Sequence, residues 1–356
     1  MRYCTPWSKR FSLSLPLVVA PLGGGPTTAK LVVESCNAGA LGSLAAAYLQ
    51  PDQIAIEVKA IRRQTHRPFA INLFTPMPTL SLNPNVIQTA LTLTRPYRME
   101  LGLREPSFGP PFHPDFDRQF EVVLKEKPAV FSFIFGLLDP VYLAECRKRS
   151  ILTLGSATTP DEAMALEASG VDAVVAQGVE AGGHRAIFDP ERADPGIDTL
   201  RLTRSLVERV RIPVISAGGI MDGNAMAKCL KAGAEAVQMG TAFLLCPEAG
   251  TSPAYRRAIS EMKNQETGLT RVFSGRLARG LRNRFFTEMQ SHPEAVLPFP
   301  AQNAFTRDLR GGSSALGRPD FLSLWAGSQV DAIRPDLTVA QLIDELRREL
   351  EKTNRD

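Results

Sequence analysis

Short apolar runs rich in β-branched residues alternate with helical patterns from the start of the chain to about residue 245. This alternation predicts parallel strands joined by crossover helices. The helical patterns at 28–38, 52–64, 160–169 and 223–231 each begin with a residue type that commonly opens or caps a helix. Eight apolar runs are predicted to be strands: 17–20, 40–44, 69–74, 130–136, 151–157, 173–178, 214–219 and 236–244.

Three phrases of the sequence repeat one local pattern. "SCNAGALGSL", "LEASGVDAVVAQG" and "LKAGAEAVQMG" each contain the end of an Ala-rich helix, a turn glycine and an apolar strand. With eight strands, this repetition favours an α/β protein with a (β/α)₈ TIM barrel. A doubly wound open sheet remains the alternative, because a strand count taken from sequence is easily wrong by one or two.

Two regions interrupt the alternation. Residues 76–128, between the third and fourth strands, carry Pro-rich pieces and are too long for one crossover, so we predict an irregular insertion with a helix. Residues 246–356 lose the strand rhythm and show helical patterns at 254–265 and 337–352. We therefore divide the chain into a barrel, 1–245, and a smaller, mainly helical substrate-side region, 246–356. We expect that region to cover the active-site end of the barrel, with its last helix packing back on the barrel.

Composition and charge narrow the function. Hydrophobic residues make up 44% of the 356 positions and charged residues 22%, as in an ordinary globular protein. A net charge of +4 without any Lys/Arg run argues against nucleic-acid binding. The five cysteines are scattered, odd in number and never spaced as CxxC, so we expect buried thiols in a reducing, cytoplasmic compartment.

The N-terminal segment "MRYCTPWSKRFSLSLPLVVAPLGGG" loosely resembles a secretory signal, with basic residues before an apolar run. Pro16 interrupts that run, and removal of the segment would delete the first predicted strand, so we expect it to stay in the fold. No stretch approaches the roughly 18 to 20 apolar residues of a membrane helix. The sequence therefore predicts no membrane partner.

Glycine-rich turns follow the last two predicted strands. In a TIM barrel, phosphate is held by the loops after the seventh and eighth strands. "SAGGIMDG" and "QMGTAF" stand there, and glycine lets backbone N–H groups approach a ligand closely. The phosphate candidates are Gly218, Gly219, Gln238, Met239, Gly240 and Thr241. No GxGxxG follows the first strand and no GxxxxGK[ST] occurs, which argues against a dinucleotide fold and a P-loop.

Polar groups also follow other strands. Asn72 and Gln177 carry amides that can both donate and accept hydrogen bonds, as the edge of a flavin pyrimidine ring requires. His184 ends the phrase "QGVEAGGHR", at the predicted mouth of the barrel. An imidazole there can take a proton near neutral pH, and its positive charge would hold an anionic substrate. No carboxylate pair, Ser-His-Asp arrangement or metal-ligand spacing is visible.

With "AVVAQGVEAGGHR", "SAGGIMDG" and "VQMGTAFLLCPE" in this order, the chain resembles class I nitronate monooxygenases, formerly 2-nitropropane dioxygenases. "SCNAGALGS", "PFAINLF", "ATTPDEA", "SGRLARGLRN" and "WAG" extend the likeness over nearly the whole chain. The resemblance implies one non-covalent FMN and His184 as the catalytic residue. The implied cofactor-binding positions are Leu22, Asn72, Gln177, Gly182, Gly183, Gly218, Gly219, Gln238, Met239, Gly240 and Thr241.

The resemblance also implies a reaction. Small anionic nitronates such as propionate 3-nitronate are oxidised by single-electron transfer to the flavin and then by O₂, without NAD(P)H. The products are a carbonyl compound and nitrite or nitrate, a route that detoxifies nitroalkanes. Arg185, together with Arg307, is expected to supply positive potential near the flavin. A homodimer is compatible with this picture.

Departures from the family pattern fall around the pocket. Ile134 in "SFIFG" stands where the family has histidine, and Leu22 in "VAPL" stands where it has methionine. Phe299 and Asn303 occupy positions where relatives present tyrosines, and we expect both to face the substrate. A less polar pocket would shift substrate preference.

Two other functions stay open. Ile134 favours an NAD(P)H-dependent FMN reductase of quinones or enoyl thioesters on the same barrel. A non-catalytic flavin-binding protein is the second alternative. An inosine-monophosphate-dehydrogenase-like enzyme is disfavoured, because no cysteine lies in the loop after the sixth strand.

Overall fold

A computed structural model describes residues 4–261 and 267–353. Eight parallel strands close into a barrel in which the first strand pairs with the last. This closure confirms the predicted TIM barrel and shows that the open-sheet alternative is wrong. The barrel strands are β1 Leu17–Val19, β2 Leu41–Ala45, β3 Phe69–Phe74, β4 Val130–Ile134, β5 Leu152–Ala157, β6 Ala173–Gln177, β8 Val214–Ala217 and β9 Ala236–Met239.

Helices join the strands and cover the outside of the barrel. Many helices follow an N-cap residue whose side chain accepts a hydrogen bond from a backbone N–H of the first turn, as Thr28, Thr159 and Asp222 do. The helices are α1 Pro6–Arg10, α2 Ala29–Asn37, α3 Pro51–Arg62, α4 Pro84–Glu100, α5 Phe116–Glu126, α6 Pro140–Lys148, α7 Pro160–Ser169, α8 Thr199–Arg209, α9 Gly223–Lys231, α10 Pro253–Glu261, α11 Arg284–Met289, α12 Ala301–Phe305, α13 Arg307–Ala315 and α14 Val339–Lys352.

The N-terminal segment closes the bottom of the barrel. Trp7 and Phe11 pack on the small and branched side chains that fill the barrel interior, among them Val18 and Ile215. The backbone N–H of Trp7 donates to the carboxylate of Glu235, 3.0 Å away. The segment that loosely resembles a secretory signal therefore supplies both this plug and β1.

The insertion between β3 and β4 contains two helices, whereas the sequence predicted only one. Helix α5 packs on α3 and β3, as a crossover helix does. Helix α4 instead packs on the C-terminal region. There the guanidinium of Arg98 lies 2.6 Å from the carboxylate of Asp308, and the ring of Tyr97 packs on that of Phe285.

Helices are the main regular elements of the C-terminal region, as predicted, and the region also contributes two strands to a small antiparallel sheet that the sequence did not predict. This sheet consists of β10 Thr267–Thr270, β11 Ala278–Leu281 and the two-residue strand β7 Gly183–His184. Part of the helix predicted at 254–265 lies outside the described residues, and α10 ends at Glu261. Helix α14 packs on α9 and α2 at the outside of the barrel.

In residues 4–261 and 267–353, no helix is both long and apolar enough to cross a membrane. Within the same ranges, no three His, Cys, Asp or Glu side chains come together as a metal-binding group.

Candidate active site

A cavity of about 470 Å³ lies at the carboxyl ends of the barrel strands, beneath the C-terminal region. Most residues that the sequence singled out line it. They are Leu22, Asn72, Gln177, Gly182, Gly183, His184, Gly218, Gly219, Gln238, Met239, Gly240, Thr241, Asn303 and Arg307. Ile134 lines it as well. Phe299, expected to face the substrate, is not among the lining residues and packs beside His184 instead, with ring centroids 5.6 Å apart.

One end of the cavity suits a phosphate. Among the described residues, the backbone N–H groups of Gly219, Gly240 and Thr241 have no hydrogen-bond partner. The hydroxyl oxygen of Thr241 accepts from the N–H of Gly327, 2.9 Å away, so its hydrogen stays available for a ligand. Gly218 has a φ of +122°, and a Cβ there would lie 2.7 Å from Oγ1 of Thr199. Backbone N–H groups without a partner, on a segment that can closely approach a ligand, suit the oxygens of a phosphate monoester.

Amide groups line the region above the strand ends. Nδ2 of Asn72 donates to the backbone oxygen and the hydroxyl of Ser132, which leaves Oδ1 without a partner in the described chain. The side chain of Gln238 also makes no hydrogen bond to a described residue. Ser156 lines the same region, although the sequence gave no reason to select it. These groups can serve the donor and acceptor edge of a flavin ring.

Gln177 differs from the expectation that its amide would both donate to and accept from a ligand. Its Oε1 accepts from Nη1 of Arg185 and from the N–H of Ala186, at 2.8 and 2.9 Å. Its Nε2 donates to the backbone oxygen of His184, 2.9 Å away. The acceptor is therefore occupied, and Gln177 mainly fixes the loop that carries His184.

His184 lies on β7, where its pairing with Ala278 of β11 fixes its backbone. Its Nε2 lies 2.9 Å from the hydroxyl oxygen of Ser274. Burial, and then the positive charges of Arg276 and Arg310, lower the pKa of His184 to about 3. A pKa this low favours the neutral imidazole at pH 7 and argues against the expectation that His184 holds an anion by its own charge.

Aromatic rings enclose the imidazole. The centroids of four rings lie between 5.6 and 6.3 Å from its own, and these rings belong to Phe74, Phe135, Phe299 and Trp325. Nδ1 of His184 makes no hydrogen bond to a described residue. The enclosure explains the desolvation that lowers the pKa, and it holds the ring in one orientation.

The structure also argues against the expected role of Arg185. Its side chain is completely buried, its Nε lies 2.6 Å from the carboxylate of Asp194, and it does not line the cavity. The positive charge at the cavity comes from α13, where Arg307 and Arg310 both line the wall. Nη2 of Arg310 donates to the side-chain oxygen of Asn303, 2.9 Å away, so Asn303 orients this guanidinium.

Sequence reasoning missed Arg310, Ser274 and the packing of Trp325 beside His184. Ser274 and Trp325 belong to "SGRLARGLRN" and "WAG", which matched the family without suggesting a role. Arg310 lies one helical turn after Arg307, and that spacing was a usable signal because residues three apart share a helix face.

The fold and the site define a TIM barrel whose cavity, at the carboxyl ends of the strands, is suited to a phosphate-bearing ligand. The chain belongs to the nitronate monooxygenase family, whose profile matches residues 7–349. It is 35% identical to a probable nitronate monooxygenase of Staphylococcus saprophyticus, over 92% of each chain. It is 34% identical to one of Bacillus subtilis, over 96% of this chain and 97% of the relative.

A solved structure extends the comparison to three dimensions. The nitroalkane oxidase of Streptomyces ansochromogenes superposes with a TM-score of 0.91 and 37% identity, covering 98% of this chain and 99% of that one. The resemblance inferred from sequence is thereby confirmed, as are the oxidoreductase class and the nitronate monooxygenase type of the enzyme.

Proposed function

We propose that this enzyme binds FMN non-covalently and oxidises small alkyl nitronates of the propionate 3-nitronate type with O₂, yielding a carbonyl compound with nitrite or nitrate. The observation that carries the proposal is one cavity with three elements. It combines backbone N–H groups that have no partner in the described chain, an imidazole whose pKa is lowered by burial, and two arginines on α13. The N–H groups suit the FMN phosphate, and the arginines suit an anionic substrate.

Each end of the cavity has its own task in this proposal. The N–H groups of Gly219, Gly240 and Thr241 would hold the FMN phosphate, and Asn72 and Gln238 would meet the ring edge. When bound, FMN supplies one-electron redox chemistry, with O₂ as the final acceptor. The chain's own residues attract the nitronate, orient it and exclude water, since aromatic rings and the C-terminal region cover the His184 side.

The positive charge of Arg310 should hold the anionic substrate. We expect Arg310→Gln to raise KM for propionate 3-nitronate roughly 10- to 150-fold, since a hydrogen bond to a charged group contributes about 1.5–3 kcal/mol. KM for neutral nitroethane should change little, because the charge has no ionic partner there. Steady-state kinetics on both substrates check this, with Arg310→Lys as the control that keeps the charge. An equal rise in KM on both substrates would contradict the role.

The redox partner separates the proposal from its two rivals. Anaerobic addition of propionate 3-nitronate to the holoenzyme should change the visible spectrum of bound flavin within the mixing time, while anaerobic NADH should leave it unchanged. Rapid bleaching by NADH instead would support a reductase of quinones or enoyl thioesters. A spectrum unmoved by every nitronate tried would support a non-catalytic flavin-binding protein.

A further inference from the structure

Ser274 contacts the imidazole of His184, which lines the cavity. Its side chain is buried and does not line the cavity, so it cannot reach a substrate. Its Oγ lies 2.9 Å from Nε2 of His184. Either Oγ of Ser274 or Nε2 of His184 can donate in this hydrogen bond, and the direction fixes the tautomer of the imidazole.

The hydrogen bonds between Ser274 and Arg276 indicate the direction. Its Oγ lies 3.0 Å from the backbone oxygen of Arg276, an atom that can only accept. Among the described residues, that oxygen has no other hydrogen-bond donor. The N–H of Arg276 in turn donates to Oγ of Ser274, at 3.3 Å. The single hydroxyl hydrogen therefore goes to Arg276, and Oγ meets His184 as an acceptor.

The segment around Ser274 is held in place. The N–H of Ser274 donates to the oxygen of Arg271, and so does that of Gly275, whose φ of +84° suits glycine. The guanidinium of Arg276 lies over the ring of Phe135, 3.9 Å from its centroid, and donates to the backbone oxygen of Ile187. These contacts leave the hydroxyl little freedom to reorient.

We propose that Ser274 is a positioning residue that keeps the proton of neutral His184 on Nε2, so that Nδ1 is the nitrogen that takes a proton from a neutral nitroalkane. This inference rests on the proposed function. In the step, the Cα–H bond of the nitroalkane breaks, its electron pair remains on the substrate as the nitronate, and an Nδ1–H bond forms. The Nε2–H···Oγ bond is kept throughout, so no other hydrogen has to move.

The tautomer can be measured in the resting holoenzyme. The chain has four histidines, so ¹⁵N-histidine labelling with His184→Asn for assignment isolates one imidazole. We expect the ¹⁵N shifts of wild-type His184 to show protonated Nε2 and unprotonated Nδ1. Protonated Nδ1 would overturn the inference, and this measurement depends on no Ser274 variant.

Variants then test whether Ser274 is the cause. Ser274→Ala should give a mixture of both tautomers and lower kcat on nitroethane about tenfold with little change in KM, while Ser274→Thr, which keeps the hydroxyl, should restore both. Ser328→Ala is the matched control, because the buried Oγ of Ser328 has no hydrogen-bond partner in the described chain. An unchanged tautomer in Ser274→Ala would also overturn the inference.

The two proposals fail separately. The NMR result involves no turnover, so a wrong tautomer counts against Ser274 alone. A flavin spectrum unmoved by nitronates counts against the proposed function, whatever the tautomer of His184.

Discussion

Substitution of His184 by asparagine should lower kcat/KM for a neutral nitroalkane about 10²- to 10⁴-fold, the usual contribution of a general base. The loss on a preformed nitronate should be much smaller, because no proton has to be removed from that substrate. Asparagine keeps a polar side chain of similar size and removes the basic nitrogen. Steady-state kinetics on nitroethane and ethyl nitronate measure the two losses on one protein.

The control for this variant is His66→Asn, the same change at an exposed position outside the cavity. It should leave both activities as in the wild type. A similar loss on nitroalkane and nitronate in His184→Asn would refute proton abstraction by His184. That result would leave the imidazole a role in binding or in shaping the pocket.

The pH profile of the wild type follows from the same group. The neutral imidazole is the active form of a base, so activity on nitroalkanes is lost as pH falls through the pKa of His184. Burial and the charges of Arg276 and Arg310 lower that pKa to about 3. We therefore expect kcat/KM for nitroethane to show no acid limb near the ordinary imidazole value of about 6.5.

The barrel was predictable because its strands are buried on both faces and therefore read as continuous apolar runs. The run 69–74 matches β3 to the residue. The run 236–244 is longer than β9, because after Met239 the chain turns at Gly240 into a 3₁₀ turn at Thr241–Phe243 that is also apolar. Apolar content alone does not distinguish the two conformations.

The small sheet was not predictable. β10 reads TGLT and β11 reads ARGL, four residues each, with glycines and an arginine in place of a β-branched alternation. β7 has only two residues. These strands exist because distant segments pair, and such pairing is invisible in a local window.

The site also divides into features that local sequence predicts and features that depend on residues distant in the sequence. The position of a residue at a strand end was enough to bring Asn72 and Gln238 to the cavity wall. The charge state of His184 was not readable, because the burial that sets its pKa comes partly from Phe299 and Trp325, more than a hundred residues away. The sequence also did not indicate that the charge of Arg185 is buried and paired with Asp194.

The glycine turn after β8 should contribute strongly to FMN binding. We expect Gly218→Ala to weaken FMN binding by about 1–3 kcal/mol, roughly 5- to 150-fold in Kd, as overpacking typically costs. A Cβ at Gly218 would lie 2.7 Å from Oγ1 of Thr199 and 3.0 Å from the backbone N of Ala181, so the turn has to move. Titration of apoprotein with FMN, followed by quenching of flavin fluorescence, measures Kd.

Gly24→Ala separates the clash from backbone strain. Gly24 also lines the cavity and has a φ of +82°, but a Cβ there would meet no atom within 4 Å. Both variants place an alanine at positive φ, +122° and +82°, so the extra loss of FMN affinity in Gly218→Ala reports the displaced turn together with the larger backbone strain at that position. Should Gly218→Ala lower the melting temperature of the apoprotein yet bind FMN as Gly24→Ala does, the turn after β8 does not hold the phosphate. The N–H of Gly219 would then not be a ligand, because it moves with that turn.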